Sequence, residues 1–130
     1  VRLLIAGSRY WDDPVPIRQA LERARPTVLI HGAARGADSI AARLAYAMGI
    51  EVLAFPADWD RHGRGAGPLR NQRMLDDGRP EWAILFADYI ATSYGTRDML
   101  RRAERCPDVK RIHTCSHVIG WRTVREAVAA

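Results

Sequence analysis

The chain has 130 residues, 48% of them hydrophobic, enough for one domain with one core and too few for two ordinary ones. Twenty basic against 15 acidic residues leave a formal charge of +5, which favours anionic partners without choosing among nucleotides, nucleic acid and acidic lipid. No apolar run approaches the ~18 residues of a membrane span, and the opening VRLLIAGSRYWDD is too short and too soon interrupted for a signal peptide, so a soluble, cytoplasmic protein without membrane contact is expected. Cys106 and Cys115 form no CxxC pattern, and neither a disulfide framework nor a zinc knuckle follows. Lys110 is the sole lysine; such uniform arginine use suits phosphate forks but equally suits a GC-rich genome and is discounted.

In chain order, Arg2 to Ala6 (RLLIA) is a short apolar run ending in Gly7-Ser8-Arg9. Pro14 and Pro16 then precede helical spacing at Ile17, Ala20, Leu21 and Ala24, so the chain opens strand, loop, helix. Thr27 to Ile30 is a second strand and Ala37 to Met48 a second helix, stopped by Gly49. Glu51 to Phe55 is a third strand. Pro56 to Pro68 carries Asp58, Trp59, Arg61, His62, Arg64 and three glycines without periodicity and is predicted as a long loop. Leu69 to Asp77 reads as a short helix, Trp82 to Phe86 (WAILF) as a fourth strand, Thr96 to Cys106 as a helix and Val109 to Thr114 as a fifth strand. Trp121 to Ala129 is predicted as a last helix. Apolar runs alternating with amphipathic helices indicate one doubly wound α/β domain over residues 1–130, its mostly parallel sheet of about five strands covered on both faces.

In open α/β sheets ligands sit at the carboxyl ends of the strands, where helix N-termini offer N–H groups and a positive dipole end. The stretch VLIHGAARGADSIAARLA, Val28 to Ala45, places His31 to Asp38 there. Gly32 and Gly36 allow a tight turn and close approach of a ligand, and Arg35 adds a cation to an anion held by backbone donors. The plainer reading is a glycine-tolerant turn with Arg35 in solvent. Gly7-Ser8-Arg9 and Tyr94-Gly95-Thr96 fall at the same sheet edge, and three small-residue turns make a pocket. The run GAGPLRNQRM brings Arg70, Asn71 and Arg73 to a first helical turn, as anion contacts or as a solvated face. GxGxxG and the Walker A pattern are both absent, which disfavours a standard dinucleotide fold or P-loop NTPase.

Each remaining candidate has a bland alternative. Asp38 orients Arg35, binds a ribose hydroxyl or merely complements a helix dipole. Trp59 stacks a base or plugs a core edge. His31 contacts ligand or is satisfied by backbone. Ser8 lacks a His-Asp partner and a GxSxG context, and is read as a phosphate-contacting hydroxyl. His113, Cys115 and His117 share one face of a continued strand, but its ends lie ~13 Å apart, too far for one zinc ion. No metal and no cofactor are expected.

GSR (Gly7 to Arg9), HGAARGAD (His31 to Asp38), PADW (Pro56 to Trp59), AGPLRN (Ala66 to Asn71) and GTRDM (Gly95 to Met99), in order over roughly Leu3 to Ala103, resemble the SLOG superfamily. That superfamily joins the DprA DNA-processing proteins to the lonely-guy phosphoribohydrolases, and the closest likeness is to its YspA-like, YpsA-related branch of small bacterial and phage proteins. The resemblance implies a Rossmann-like three-layer sandwich that binds nucleotides or their derivatives, and a homodimer paired through helices beside the pocket. Lonely-guy enzymes cleave the N-glycosidic bond of nucleoside monophosphates with PGGxGTxxE and an arginine. Arg70 matches the arginine and Gly95-Thr96 the GT, but Thr92 and Ser93 stand near the missing glycines and Met99 stands where glutamate is needed. A thioether accepts no proton, so that mechanism loses a required group. Asp98 is one residue away, about 100° around a helix, and is not taken as equivalent. Asp38 and Asp58 are candidate substitutes.

The expectation is thus a binding protein for a phosphorylated nucleoside-type ligand, acting as a sensor or processing protein. Gly32, Arg35, Gly36, Gly95 and Thr96 would cradle phosphate; Gly7, Ser8 and Arg9 would floor the pocket; Arg70 and Asn71 would close it, with Asp38, Asp58 and Trp59 beside it. Any catalysis falls to Arg70 and Asp38. Two alternatives stay open: a phosphoribohydrolase of lonely-guy type, and a DprA-like nucleic-acid-binding module, which a pI of about 9.9 would suit.

Overall fold

The computed structural model describes residues 1–126. Six strands form one sheet in the order β3-β2-β1-β4-β5-β6. β1 (Arg2–Gly7), β2 (Val28–His31), β3 (Glu51–Ala54), β4 (Trp82–Phe86) and β5 (Arg111–Ser116) run parallel, and β6 (Gly120–Arg125) returns antiparallel along β5. The chain therefore leaves β1 in one direction for β2 and β3 and crosses back to place β4 on the other side of β1. That reversal between β1 and β4 is where an open α/β sheet leaves a crevice.

Alternation along the strands decides which helices cover which face. Leu3 and Ile5 join Ile17 and Leu21 of α1 (Pro14–Ala24) and Ile40 and Ala41 of α2 (Ala37–Ala47) in one core. Leu4 and Ala6 join Met74 and Leu75 of α4 (Ala66–Asp76) and Met99 and Ala103 of α5 (Tyr94–Glu104) in the other. β1 and β4 read as continuous apolar runs because they are central and covered on both sides. The layered, mostly parallel α/β architecture agrees with the expectation; the strand count is six.

Two segments differ from expectation. Between β3 and α4 the predicted loop contains a short helix, α3 (Trp59–His62), and a 3-10 turn (Gly63–Gly65), and α4 begins at Ala66 instead of Leu69. The cause is local: the Asp58 carboxylate accepts the Arg61 N–H at 3.2 Å, an N-cap that hydropathy periodicity does not register. Trp121 to Arg125 is a strand, not the start of a helix. The Ser116 hydroxyl accepts the N–H groups of Val118 and Ile119, Gly120 takes a φ of 76°, and the chain reverses into a hairpin pairing Cys115 with Trp121. Trp121, Thr123 and Val124 are aromatic or β-branched and suit that ladder. The remainder of the expected helix, residues 127–129, lies outside the described residues.

Candidate functional site

A cleft of about 1580 Å³ opens at the carboxyl ends of β1, β2 and β4, over the strand reversal. Every predicted ligand contact lines it except Gly36, which precedes α2 behind the turn, and Asp58, which caps α3. Gly7, Ser8 and Arg9 leave β1; Gly32, Arg35 and Asp38 leave β2; Gly95 and Thr96 open α5; Arg70 and Asn71 come from α4 and Trp59 from α3. The expected long-range grouping is therefore present, but the residues in it do different jobs.

The turn after β2 is a closed hydrogen-bonded unit. Asp38, 4% exposed, accepts the Gly32 N–H at 2.8 Å and the Ala34 N–H at 3.4 Å, so its carboxylate organises its own turn and does not hold Arg35. Burial pushes that carboxyl up to about 6, with the two N–H bonds and the Arg70 charge opposing the rise. His31 accepts the Ala33 N–H on Nδ1 at 2.9 Å, which requires a lone pair there and places the proton on Nε2. Burial, then the Arg70 charge, lowers its pKa, consistent with that neutral form. Gly36 has a φ of 75°, and a Cβ there would overlap the Ser8 carbonyl oxygen, while the Ala37 N–H bonds that same oxygen at 3.3 Å. A Cβ at Gly32 would lie 2.6 Å from the Arg70 guanidinium, so a side chain there would displace that group.

Arg70 donates to the Gly32 carbonyl and to Asn71 Oδ1, the latter at 3.0 Å. Burial lowers its pKa, opposed by the Asp38 and Asp98 charges. Asn71 Nδ2 donates to Asp98 Oδ2 at 3.0 Å and to the Gly95 carbonyl at 3.2 Å, and Asp98 pairs with Arg102 at 2.8 Å. This chain of bonds fastens α4 to α5 along one cleft wall. Met99 is fully buried in the core beneath, so the position that resemblance gives to glutamate faces away from the cleft, and the carboxylate that reaches the wall is Asp98.

The N-terminus of α5 is different. Ser93 Oγ bonds the Thr96 hydroxyl at 2.7 Å and caps no backbone N–H. Gly95, the second residue of the helix, has nothing within 4 Å of where a Cβ would sit. Among the described residues no carboxylate lies in ion-pair range of Arg9, Arg35 or Arg64 on the cleft lining. Ser8 Oγ accepts the Tyr10 N–H at 3.1 Å, which leaves its own proton to donate. Trp59 lies over Gly67 and is 58% exposed, so it is not a core plug.

A model of the YspA, cpYpsA-related SLOG family matches residues 1–62, which hold β1, the turn after β2 and Trp59. Over 114 residues the chain is 40% identical to the Gene 61 protein of Mycobacterium phage D29, a match spanning 80% of this chain and 89% of that one. The chain belongs to the YspA, cpYpsA-related SLOG family. In this SLOG protein the cleft also takes in Trp11 and Asp88, which the sequence does not single out, His117, which it offers only as a metal ligand, and Asp98, which it sets aside as no equivalent of the glutamate. Asp88 follows the WAILF strand by two residues, and His117 follows the end of β5 by one; applying the strand-end rule to β4 and β5 as strictly as to β1 and β2 finds both. His113, Cys115 and His117 separate: His113 accepts the Trp82 indole N–H at 2.9 Å, Cys115 is buried, and His117 meets two carboxylates. No described helix is long and apolar enough to cross a membrane.

Proposed function

We propose that this SLOG protein binds a phosphorylated nucleoside-type ligand in the cleft, with its phosphate at the N-terminus of α5 and its remainder toward Arg35, Arg9 and Trp59. The observation that carries the reading is Gly95. A glycine in the first turn of a helix adds no stability, and here neither backbone conformation nor packing asks for one. A missing side chain at an uncapped helix N-terminus inside a cleft is the form an anion seat takes. Family membership supports a nucleotide-related ligand at that coarse level. The buried Met99 and the engaged Asp98 favour binding, or a chemistry other than the lonely-guy one, over glycosidic hydrolysis.

The test is thermal melting against AMP, GMP, ADP-ribose, NAD and cyclic nucleotides, with each mixture chromatographed for products. A shift with one nucleotide that Arg35→Ala abolishes is expected; released base would restore the hydrolase; no shift with any nucleotide rejects the pocket. A second reading has its own support. Tyr10, Tyr94, Tyr89 and Trp59 are 84, 79, 64 and 58% exposed around the cleft beside arginines that make no ion pair among the described residues, the mixture that holds single-stranded nucleic acid. In that case single-stranded DNA shifts the melt and the shift collapses steeply with salt.

A further inference from the structure

His117 sits in the β5–β6 turn with both ring nitrogens engaged. Its Nε2 is 2.9 Å from Asp13 Oδ2 and its Nδ1 is 2.8 Å from Asp88 Oδ1. Its backbone N–H also donates to Asp88 at 2.8 Å, and its ring stacks on Trp11 at 4.3 Å and 13°. A neutral imidazole has one N–H and would turn a lone pair toward the second carboxylate; only the imidazolium donates to both. Asp13 caps α1 through its other oxygen, accepting the Val15 N–H at 3.0 Å. Asp88 begins the segment that leads from β4 to α5, and it lines the cleft together with Trp11 and His117.

We propose that Asp13, His117 and Asp88 form a proton-operated brace across one end of the cleft, closed while His117 carries both ring protons and released when it loses one. Three segments that approach from different strands, the entry to α1, the exit from β4 and the β5–β6 turn, are joined at this one ring. Loss of a proton costs one of the two ring ties and weakens the link between the entry to α1 and the exit from β4, while the His117 backbone N–H keeps its bond to Asp88. Among the described residues the ring nitrogens bond only Asp13 and Asp88; Asp12 and Tyr89, which also line the cleft, make no hydrogen bond to the ring. Burial, then the charges of Asp13 and Asp88, pushes the Cys115 thiol up to about 11, so it stays neutral while the imidazole titrates.

The direction of the coupling follows from the bonds. The hydrogen bond to Asp13 raises the His117 pKa above its ordinary 6.5, ahead of the smaller contributions from Asp88 and against partial burial. Its stabilisation is therefore complete below 6.5 and is lost as pH rises through the raised folded value. Asp13 is lowered from 3.8 first by its bond to His117, and Asp88 is lowered from 3.8 first by the His117 backbone N–H. Their stabilisation is complete above 3.8 and is lost as pH falls through the lowered values. The brace holds between these limits.

The test needs no ligand, so it stands or falls apart from the binding reading. The His117 ring proton is followed by NMR against pH, assigned with His117→Gln. Its midpoint is expected above that of the same residue in urea-unfolded protein, and Asp13→Asn and Asp88→Asn are each expected to bring it down. Asn remains a good N-cap, so Asp13→Asn keeps α1 in place. The melting temperature of the natural protein should exceed that of His117→Gln at pH 6, and the gap should close above the midpoint. A midpoint at or below the unfolded one, indifference to both Asn substitutions, or a melting gap that ignores pH overturns the brace.

Discussion

The turn after β2 and the turn into α5 stand on the same cleft and look alike in sequence, glycines beside polar residues at a helix start, yet they are built in opposite ways. In the first, the Gly32 and Ala34 N–H groups are consumed by Asp38, the Ala33 N–H by His31, and the space beside Gly32 and Gly36 by Arg70 and Ser8. In the second, Gly95 faces open space and no side chain caps the helix. Glycine richness by itself does not separate the two. What separates them is whether an internal group already occupies the place that the missing side chain leaves, and by that measure the HGAARGAD turn is internally filled and the plainer SYGT turn is left open for the proposed ligand.

The contrast breaks first at Gly36. Alanine there meets two penalties, a φ of 75° that a Cβ disfavours and overlap with the fixed Ser8 carbonyl. Backbone strain of about 1–3 kcal/mol and overpacking of similar size put the loss at roughly 2–6 kcal/mol. Urea unfolding of Gly36→Ala measures it. A loss under half a kilocalorie would mean the turn is not internally fixed.

Asp38 gives the next effect, one that depends on pH. Its carboxyl ionises near 3.8 when unfolded and at about 6 when folded, so the folded state holds the proton more tightly and stability falls as pH rises between those values. At 1.36 kcal/mol per unit the decline is about 3 kcal/mol. Asparagine keeps an oxygen for the Gly32 N–H and cannot ionise. Urea unfolding of both forms from pH 4 to 7 should therefore show Asp38→Asn gaining on the natural protein by about that amount; parallel curves would place the carboxylate in contact with water.

Much of this is legible in the sequence. The apolar runs of β1, β2 and β4 and the spacing of α1 follow from residues that must be buried on two faces or one, strand-end placement brings Ser8, Arg35 and Gly95 to one cleft, and the first turn of a helix brings Arg70 there. The misses share a cause, since α3 rests on the Asp58 cap and β6 on the Ser116 and Gly120 turn, both local backbone devices that hydropathy does not carry. The roles of Asp38 and His117 were hidden for a different reason. A carboxylate that binds its own turn and one that waits for a ligand have the same letters, and the Asp13–His117 contact joins residues 104 positions apart.

The smallest effect is the sharpest. If Gly95 exists for a ligand, then Gly95→Ala should improve the empty protein and harm the loaded one. The Cβ has nothing within 4 Å to collide with, and alanine in place of a glycine is worth about 0.5–1 kcal/mol in a helix interior and less in the first turn, so the unliganded variant should melt slightly higher. The same methyl group projects into the cleft where the phosphate of the proposed ligand would rest, so the ligand-induced shift should shrink or vanish. A structural role for the glycine predicts the reverse, lower stability with the ligand shift intact. Only a residue kept for its emptiness separates the two measurements in the first way, which makes this single methyl group the cleanest discriminator between seat and scaffold in the molecule.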